Sequence, residues 1–284
     1  MKTIDFSIDW HTHAFDNAVS QDPLAFAVDY KESYWKLLMK LGQASSLQTW
    51  PTLSERLIDM DNAKVKKAVL LGWYWENPES CKRQNQYFAE ILSKYPKRFQ
   101  AFAALAPQAG PSWVIEELKR CEQWGFSGAG ELCPQVQKYN LLDQSHRKWI
   151  EWLQERKWWI NFHVTDPVVN QSGSFVPTPL IDFIKFADLY PEQKIILSHL
   201  GGLLCFYEHN PRLKHILKNT YYDTAAIPLL YTDSIYKGIP EMEFFTKILF
   251  GTDYPMKSYP KLSRSGQYSR HIKGLGFTSN LSAS

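Results

Sequence analysis

The chain has few cysteines, and none are spaced to work in pairs. Cys81, Cys121, Cys133 and Cys205 are the full set in 284 residues, and no two form a Cys-x-x-Cys pair. That excludes a disulfide-stapled scaffold and a thiolate zinc ribbon, and it points to reduced thiols in a cytoplasmic protein. Long apolar runs are also missing: no segment reaches the ~18 apolar residues of a membrane span. The N-terminus has no basic stretch followed by an apolar core, so no export signal is expected. Nor is there an excess of one charge. Net charge is +3, from 32 basic and 29 acidic side chains that are interspersed. The short run Lys64-Val65-Lys66-Lys67 is not the clustered basic face that nucleic acid requires. No phosphate loop, dinucleotide fingerprint or Ser-His-Asp arrangement is found.

What is present is a repeating alternation. Short apolar runs predict strands near 4–10, 67–73, 99–105, 127–132, 158–164, 194–199, 220–224 and 247–252. Between them apolar residues recur three to four apart, as one-sided helices require. These stretches run from Ser54 to Ala63, Pro78 to Tyr95, Pro111 to Trp124, Asp143 to Lys157, Pro179 to Tyr190, Pro211 to Lys218 and Asp233 to Phe245. Proline stands at or near several of their starts, where its missing N–H costs least. Alternating strands and helices imply parallel strands with right-handed crossovers. Eight such units in 284 residues imply an α/β fold, a closed (β/α)8 TIM barrel in one domain over residues 1–284. Residues 14–52 are too long for a strand-to-helix loop. They contain an aromatic helix-like piece from Tyr30 to Leu41 and are expected to fold over the barrel mouth. The tail from about 263 is rich in Ser and Gly and carries only a weak helical pattern.

Strand 1 ends Asp9-Trp10-His11-Thr12-His13. Side chains alternate faces along a strand, so His11 and His13 project together and Thr12 turns away. Two imidazoles at a strand end are half of what a divalent metal needs. Alone the pair is a weak signal, and two ordinary strand histidines read the same way. The other strand ends supply partners. Strand 4 ends in Glu131, strand 5 in Asn161-Phe162-His163, strand 6 in Leu197-Ser198-His199-Leu200-Gly201-Gly202, strand 7 in Asp223, and strand 8 in Phe250-Gly251-Thr252-Asp253-Tyr254-Pro255. Of the eight histidines, four fall at these ends; His146, His209, His215 and His271 fall on helix-like or tail positions and read as surface residues. Barrel enzymes place their chemistry at the C-terminal ends of the strands. Mixed imidazole and carboxylate donors suit Zn2+, with Mn2+, Fe2+ or Co2+ as alternatives.

In order and spacing these pieces resemble the amidohydrolase superfamily, and within it the amidohydrolase-related branch that contains aminocarboxymuconate semialdehyde decarboxylase-like enzymes. The resemblance covers residues 4 to about 256. It implies that His11, His13 and His163 are metal ligands, and that Asp253 is a ligand or holds a metal-bound water. His199 is implied as a second ligand where two ions are bound, or as an acid/base beside one. Glu131 stands where relatives with two metals carry a carboxylated lysine or a glutamate; a salt-bridged rim glutamate is an equal alternative. One or two ions are therefore expected.

A metal ion lowers the pKa of bound water from 15.7 to ~7, and Asp253 is suited to take the released proton. His199 is suited to polarise a carbonyl or protonate a leaving group. The leading expectation is a metal-dependent hydrolase that cleaves a C–N or C–O bond of a small molecule. The runner-up is a non-oxidative decarboxylase of an aromatic or unsaturated carboxylic acid. Trp10, Trp73 and Tyr254, with Tyr74 and Trp75 nearby, are candidates to stack on the substrate, although packing beneath the insertion accounts for them equally well. Asp223 is placed either as a carboxylate orienting a ligand histidine or as a turn residue. A small-molecule substrate is expected, without nucleic acid or membrane; a homodimer is suggested by analogy with related barrels.

Overall fold

The computed structural model describes residues 5–41, 47–168, 175–232, 234, 235, 239 and 242–258. Eight parallel strands run in sequence order: β1 (Ile8–Thr12), β2 (Lys67–Leu70), β3 (Phe99–Ala103), β4 (Gly128–Leu132), β5 (Trp159–Phe162), β6 (Lys194–Leu197), β7 (Thr220–Asp223) and β8 (Ile248–Leu249). The circle closes where the chain after β8 returns to β1. Trp10 N–H donates to Phe250 O (2.8 Å), Asp253 N–H to His11 O (2.9 Å) and His13 N–H to Tyr254 O (2.7 Å). The (β/α)8 barrel expected from the alternation is therefore the fold.

The helices are α1 (Asn17–Gln21), α2 (Pro23–Asp29), α3 (Ser33–Leu41), α4 (Leu53–Asn62), α5 (Pro78–Lys94), α6 (Pro111–Gln123), α7 (Pro134–Gln137), α8 (Arg147–Glu155), α9 (Leu180–Leu189), the single turn α10 (His199–Gly202), α11 (Pro211–Ile216) and α12 (Ile227–Leu230). Local chemistry explains their starts. Thr52 and Glu55 form a reciprocal capping box on α4. Pro78, Pro111 and Pro211 each open a helix. α8 is preceded by a tight 3-10 turn at Gln144–His146 and buries Trp149, Ile150, Trp152 and Leu153 on one stripe. The helix expected from Asp233 to Phe245 is not one element: its end is a 3-10 turn, Glu243–Lys247, and part of its span lies outside the described residues. The tail beyond 258 also lies outside them.

One apolar layer fills the space between barrel and helices, and a second fills the barrel itself. Inside, Val69, Leu71, Phe102 and Ile196 meet Ile8, Trp10, Trp159, Tyr221 and Leu249. Gly128 makes room for this plug, since a Cβ there would fall 2.6 Å from the Phe102 ring.

The segment after β1 carries α1, α2 and α3 and covers the C-terminal rim beside β1, β2 and β8. Trp35 is 1% exposed and packs with Phe15, Trp50, Trp73 and Trp75. Two carboxylates tie the cover down. Glu32 accepts the backbone N–H groups of Glu76 and Asn77 (2.7 and 3.0 Å), and Glu76 accepts that of Tyr34 (2.7 Å). Among the described residues no helix is long and apolar enough to cross a membrane.

Candidate metal centre

Six donor side chains from five strand ends converge at the C-terminal rim in two groups. His11, His13 and Asp253 form one triad, and Glu131, His163 and His199 the other; within each, the ligand atoms lie within 4.8 Å of one another.

The first triad is built on the β1–β8 closure. His11 Nδ1 lies 2.9 Å from Asp223 Oδ2, and His13 Nδ1 lies 3.2 Å from Leu71 O. Both acceptors require the proton on Nδ1, so each Nε2 presents a lone pair inward. The two Nε2 atoms are only 3.2 Å apart. Asp253 Oδ1 completes the triad at 3.7 Å from His11 Nε2 and 3.6 Å from His13 Nε2. Asp253 adopts a left-handed backbone, φ 63°, uncommon for a residue with a side chain. Its neighbours hold it there: Asp9 accepts both the N–H and the hydroxyl of Thr252 (3.1 and 2.6 Å). Burial raises the Asp9 pKa to about 6, and its bonds to Thr252 oppose that rise.

The second triad is built on β4, β5 and α10. Glu131 is 2% exposed. Its Oε1 lies 3.0 Å from His163 Nδ1 and 3.8 Å from His199 Nε2. Its Oε2 faces the other triad, 3.5 Å from His13 Nε2 and 3.8 Å from His11 Nε2. Gly130 permits this placement, because a Cβ there would stand 2.3 Å from Asn161 O. His163 Nδ1 and His199 Nε2 are 3.3 Å apart. His199 Nδ1 faces Ala225 O at 3.0 Å, and its backbone N–H donates to Asp223 Oδ1 at 2.9 Å. Asp223 therefore fixes a histidine in each triad.

The electrostatics are those of a cation site. Burial alone would lower the His11 pKa, but Asp223, Glu131 and Asp253 together push it up to about 10. Burial and the neighbouring His11 drive His13 down to about 4. Burial favours the neutral acid of Glu131, yet His11 and His163 outweigh it and hold the carboxylate well below its ordinary range. Burial and His163 lower the pKa of His199. Two inward carboxylates and two facing imidazole lone pairs fit a divalent ion, because without one the cluster must recruit a proton onto His11.

The expected site residues are thus brought together as far as His11, His13, Glu131, His163, His199 and Asp253 are concerned. Glu131 sits between the triads and is not a rim glutamate paired with a surface cation. The aromatic candidates separate. The Trp73 ring lies 5.2 Å from that of His13. Trp10 lies within the barrel plug, 5.4 Å from Trp159, and Tyr254 turns outward to α4, donating its hydroxyl to Asp59 (2.8 Å) beneath Arg56. His146 differs from its surface reading: it is 5% exposed and its Nδ1 accepts the Trp149 indole N–H (3.2 Å). Thr165 and Asp9 were not singled out as site residues by the sequence, although Thr165 follows His163 by two positions and lies 3.2 Å from its Nε2.

A family model described as amidohydrolase matches residues 8–280, and the chain belongs to that family. Among curated proteins it is similar to the gamma-resorcylate decarboxylase of Polaromonas sp. (strain JS666 / ATCC BAA-500), with 32% identity over 98 residues, 28% of this chain and 30% of that protein. The chain thus aligns with less than a third of that relative's length. Two solved structures share the fold. One is 5-carboxyvanillate decarboxylase from Novosphingobium aromaticivorans DSM 12444, complexed with manganese and 4-hydroxy-3-methoxy-5-nitrobenzoic acid (TM-score 0.66, 16% identity, 94% of this chain and 95% of that chain). The other is dihydroxybenzoic acid decarboxylase from Polaromonas sp. JS666 with manganese and the inhibitor 2-nitroresorcinol (TM-score 0.59, 18% identity, 95% and 96%). The curated relative and these two structural relatives are named as decarboxylases.

Proposed function

We propose that this protein is a metal-dependent, non-oxidative decarboxylase of a small aromatic carboxylic acid. The observation that carries the reading is the convergence of the His11 and His13 Nε2 atoms, 3.2 Å apart, each of which lies 3.5 to 3.8 Å from one oxygen of Asp253 and one of Glu131. Donors bonded to one ion at ~2.0–2.2 Å stand about that far apart. The kinship with decarboxylases supports the reaction, and manganese in the two structural relatives supports Mn2+ ahead of Zn2+.

When bound, a divalent ion supplies fixed positive charge for carboxylate and phenolate oxygens of the acid. The residues of this chain do the rest. Asp223 holds His11 in the tautomer that offers Nε2. His199 and His163 share a proton between Nε2 and Nδ1, at the side of the site where His163 is partly open. That proton goes to the ring carbon bearing the carboxylate. The C–C bond then breaks, its electron pair returns to the ring π system and restores aromaticity, and CO2 departs. Trp73, beside His13, forms an aromatic wall for the planar substrate. The indoles beneath the insertion keep water from the exchanging carbon.

The test is product analysis. Manganese-loaded protein incubated with 2,6-dihydroxybenzoate, gamma-resorcylate-type and vanillate-type acids should release CO2 and the decarboxylated phenol, and a chelator should stop it. Turnover of lactones or amides with no CO2 from any acid restores the hydrolase reading.

A further inference from the structure

Trp73 and Tyr74, consecutive residues after β2, divide the two triads between them. Trp73 lies edge-on to His13, with ring centroids 5.2 Å apart. Tyr74 lies against His163, also at 5.2 Å. The two rings stack on each other at 4.3 Å with 25° between their planes, which fixes both. Tyr74 is 4% exposed and shares an apolar cluster with Cys133, Val136, Val176 and, from α3 of the insertion, Tyr34. A tyrosine buried to this degree ordinarily lodges its hydroxyl on an acceptor. No described residue accepts a hydrogen bond from the Tyr74 hydroxyl, although its ring touches the metal centre.

We propose that Tyr74 is a substrate-contacting, specificity-determining residue, whose hydroxyl donates a hydrogen bond to an oxygen substituent on the ring of the bound aromatic acid. This rests on the decarboxylase reading above. A phenol is protonated at any working pH near neutrality, so it serves as a constant donor. Once a bound ring covers this hydroxyl, a donor left without an acceptor penalises a ring that lacks the oxygen, and this is how such a site rejects the unsubstituted analogue. The insertion contributes indirectly, because α3 brings Tyr34 to within 6.0 Å of the Tyr74 ring and closes that side of the pocket.

Tyr74→Phe keeps the ring stack and removes only the hydroxyl. Binding of 2-nitroresorcinol to the manganese-loaded wild type and variant is measured by calorimetry, alongside manganese content, melting temperature and CO2 release. The variant should bind the probe about tenfold more weakly, the effect of one lost hydrogen bond to a charged or strongly polarised oxygen, with manganese content and melting temperature unchanged. With 2,6-dihydroxybenzoate the loss should appear mainly in KM. Equal affinity of both proteins for the probe, with CO2 release intact, overturns the role of Tyr74 and leaves the decarboxylase reading standing. A tenfold loss of probe affinity without CO2 release from any acid supports the Tyr74 contact and overturns the reaction. A wild type that does not bind the probe overturns both.

Discussion

The two triads at the rim use similar donors and hold them differently. In the first, His11 is fully buried with its Nδ1 2.9 Å from the Asp223 carboxylate and 3.4 Å from the Ser198 hydroxyl, and the His13 Nδ1 faces the Leu71 carbonyl at 3.2 Å. In the second, His163 is the most open of the four histidines at the rim, with 19% of its side chain exposed, and its Nε2 meets a hydroxyl, Thr165, that can donate or accept. A fully buried imidazole suits a permanent ligand; His163, whose Nδ1 faces the Glu131 carboxylate at 3.0 Å while its Nε2 stays beside the Thr165 hydroxyl, suits a proton carrier. Under the proposed function the difference gives a division of labour: the first triad, with one oxygen of Glu131, would anchor the ion, and the second would handle the proton and face the substrate.

The largest effect that would break this division comes from the anchor itself. Asp253→Asn should abolish turnover and lower manganese occupancy, read by metal analysis and CO2 release; full activity in that variant removes Asp253 from the mechanism. Asp223→Asn comes next. It is not itself a proposed ligand but holds His11 and His199 in place, so activity or metal affinity should fall about 10–100-fold. A loss confined to stability, with kcat and metal affinity intact, would contradict the orienting role.

Raising the pH should probe the first triad in the metal-free protein. His11 is raised from 6.5 to about 10, so its stabilising charge is fully present below pH 6.5 and is lost as pH rises through 10. The metal-free melting temperature should therefore fall between pH 7 and 10, and this fall should vanish in the loaded protein. Metal uptake at pH 8 should release about one proton, read by calorimetry in buffers of different ionisation heat, because ligands must be deprotonated to bind. Uptake with no proton release would place the charge of the empty site elsewhere. Thr165→Val gives the smallest expected change: a few-fold drop in kcat and a shifted pH–rate profile, with metal affinity unchanged, since it frees only the His163 tautomer. Reduced metal affinity in that variant would assign His163 to the anchor.

Much of this was legible in the sequence. The barrel followed from the spacing of apolar runs, because a strand-helix alternation of that length has one closed solution. His11 and His13 were legible as a pair through period-2 alternation, and His163, His199 and Asp253 through their positions at strand ends. Asp223 was legible only as one of two alternatives, since a carboxylate at a strand end says nothing of which nitrogen it faces. Trp10 and Tyr254 show the limit. Both flank true site residues in the chain, yet Trp10 fills the barrel and Tyr254 leaves it for Asp59. The register between β1 and β2 shifts between Asp9 and Thr12, and a local irregularity of that kind cannot be read from composition. Glu131 depended on Gly130, whose bare backbone lets β4 approach Asn161, a long-range contact with no local signature.

The most direct measurement is anomalous scattering at the manganese edge from crystals of the loaded protein. The account predicts one ion bonded to His11, His13 and Asp253 with Glu131, and no peak between His163 and His199. An ion centred on the second triad, or two ions bridged by Glu131, would contradict the division of labour on which the proposed mechanism stands.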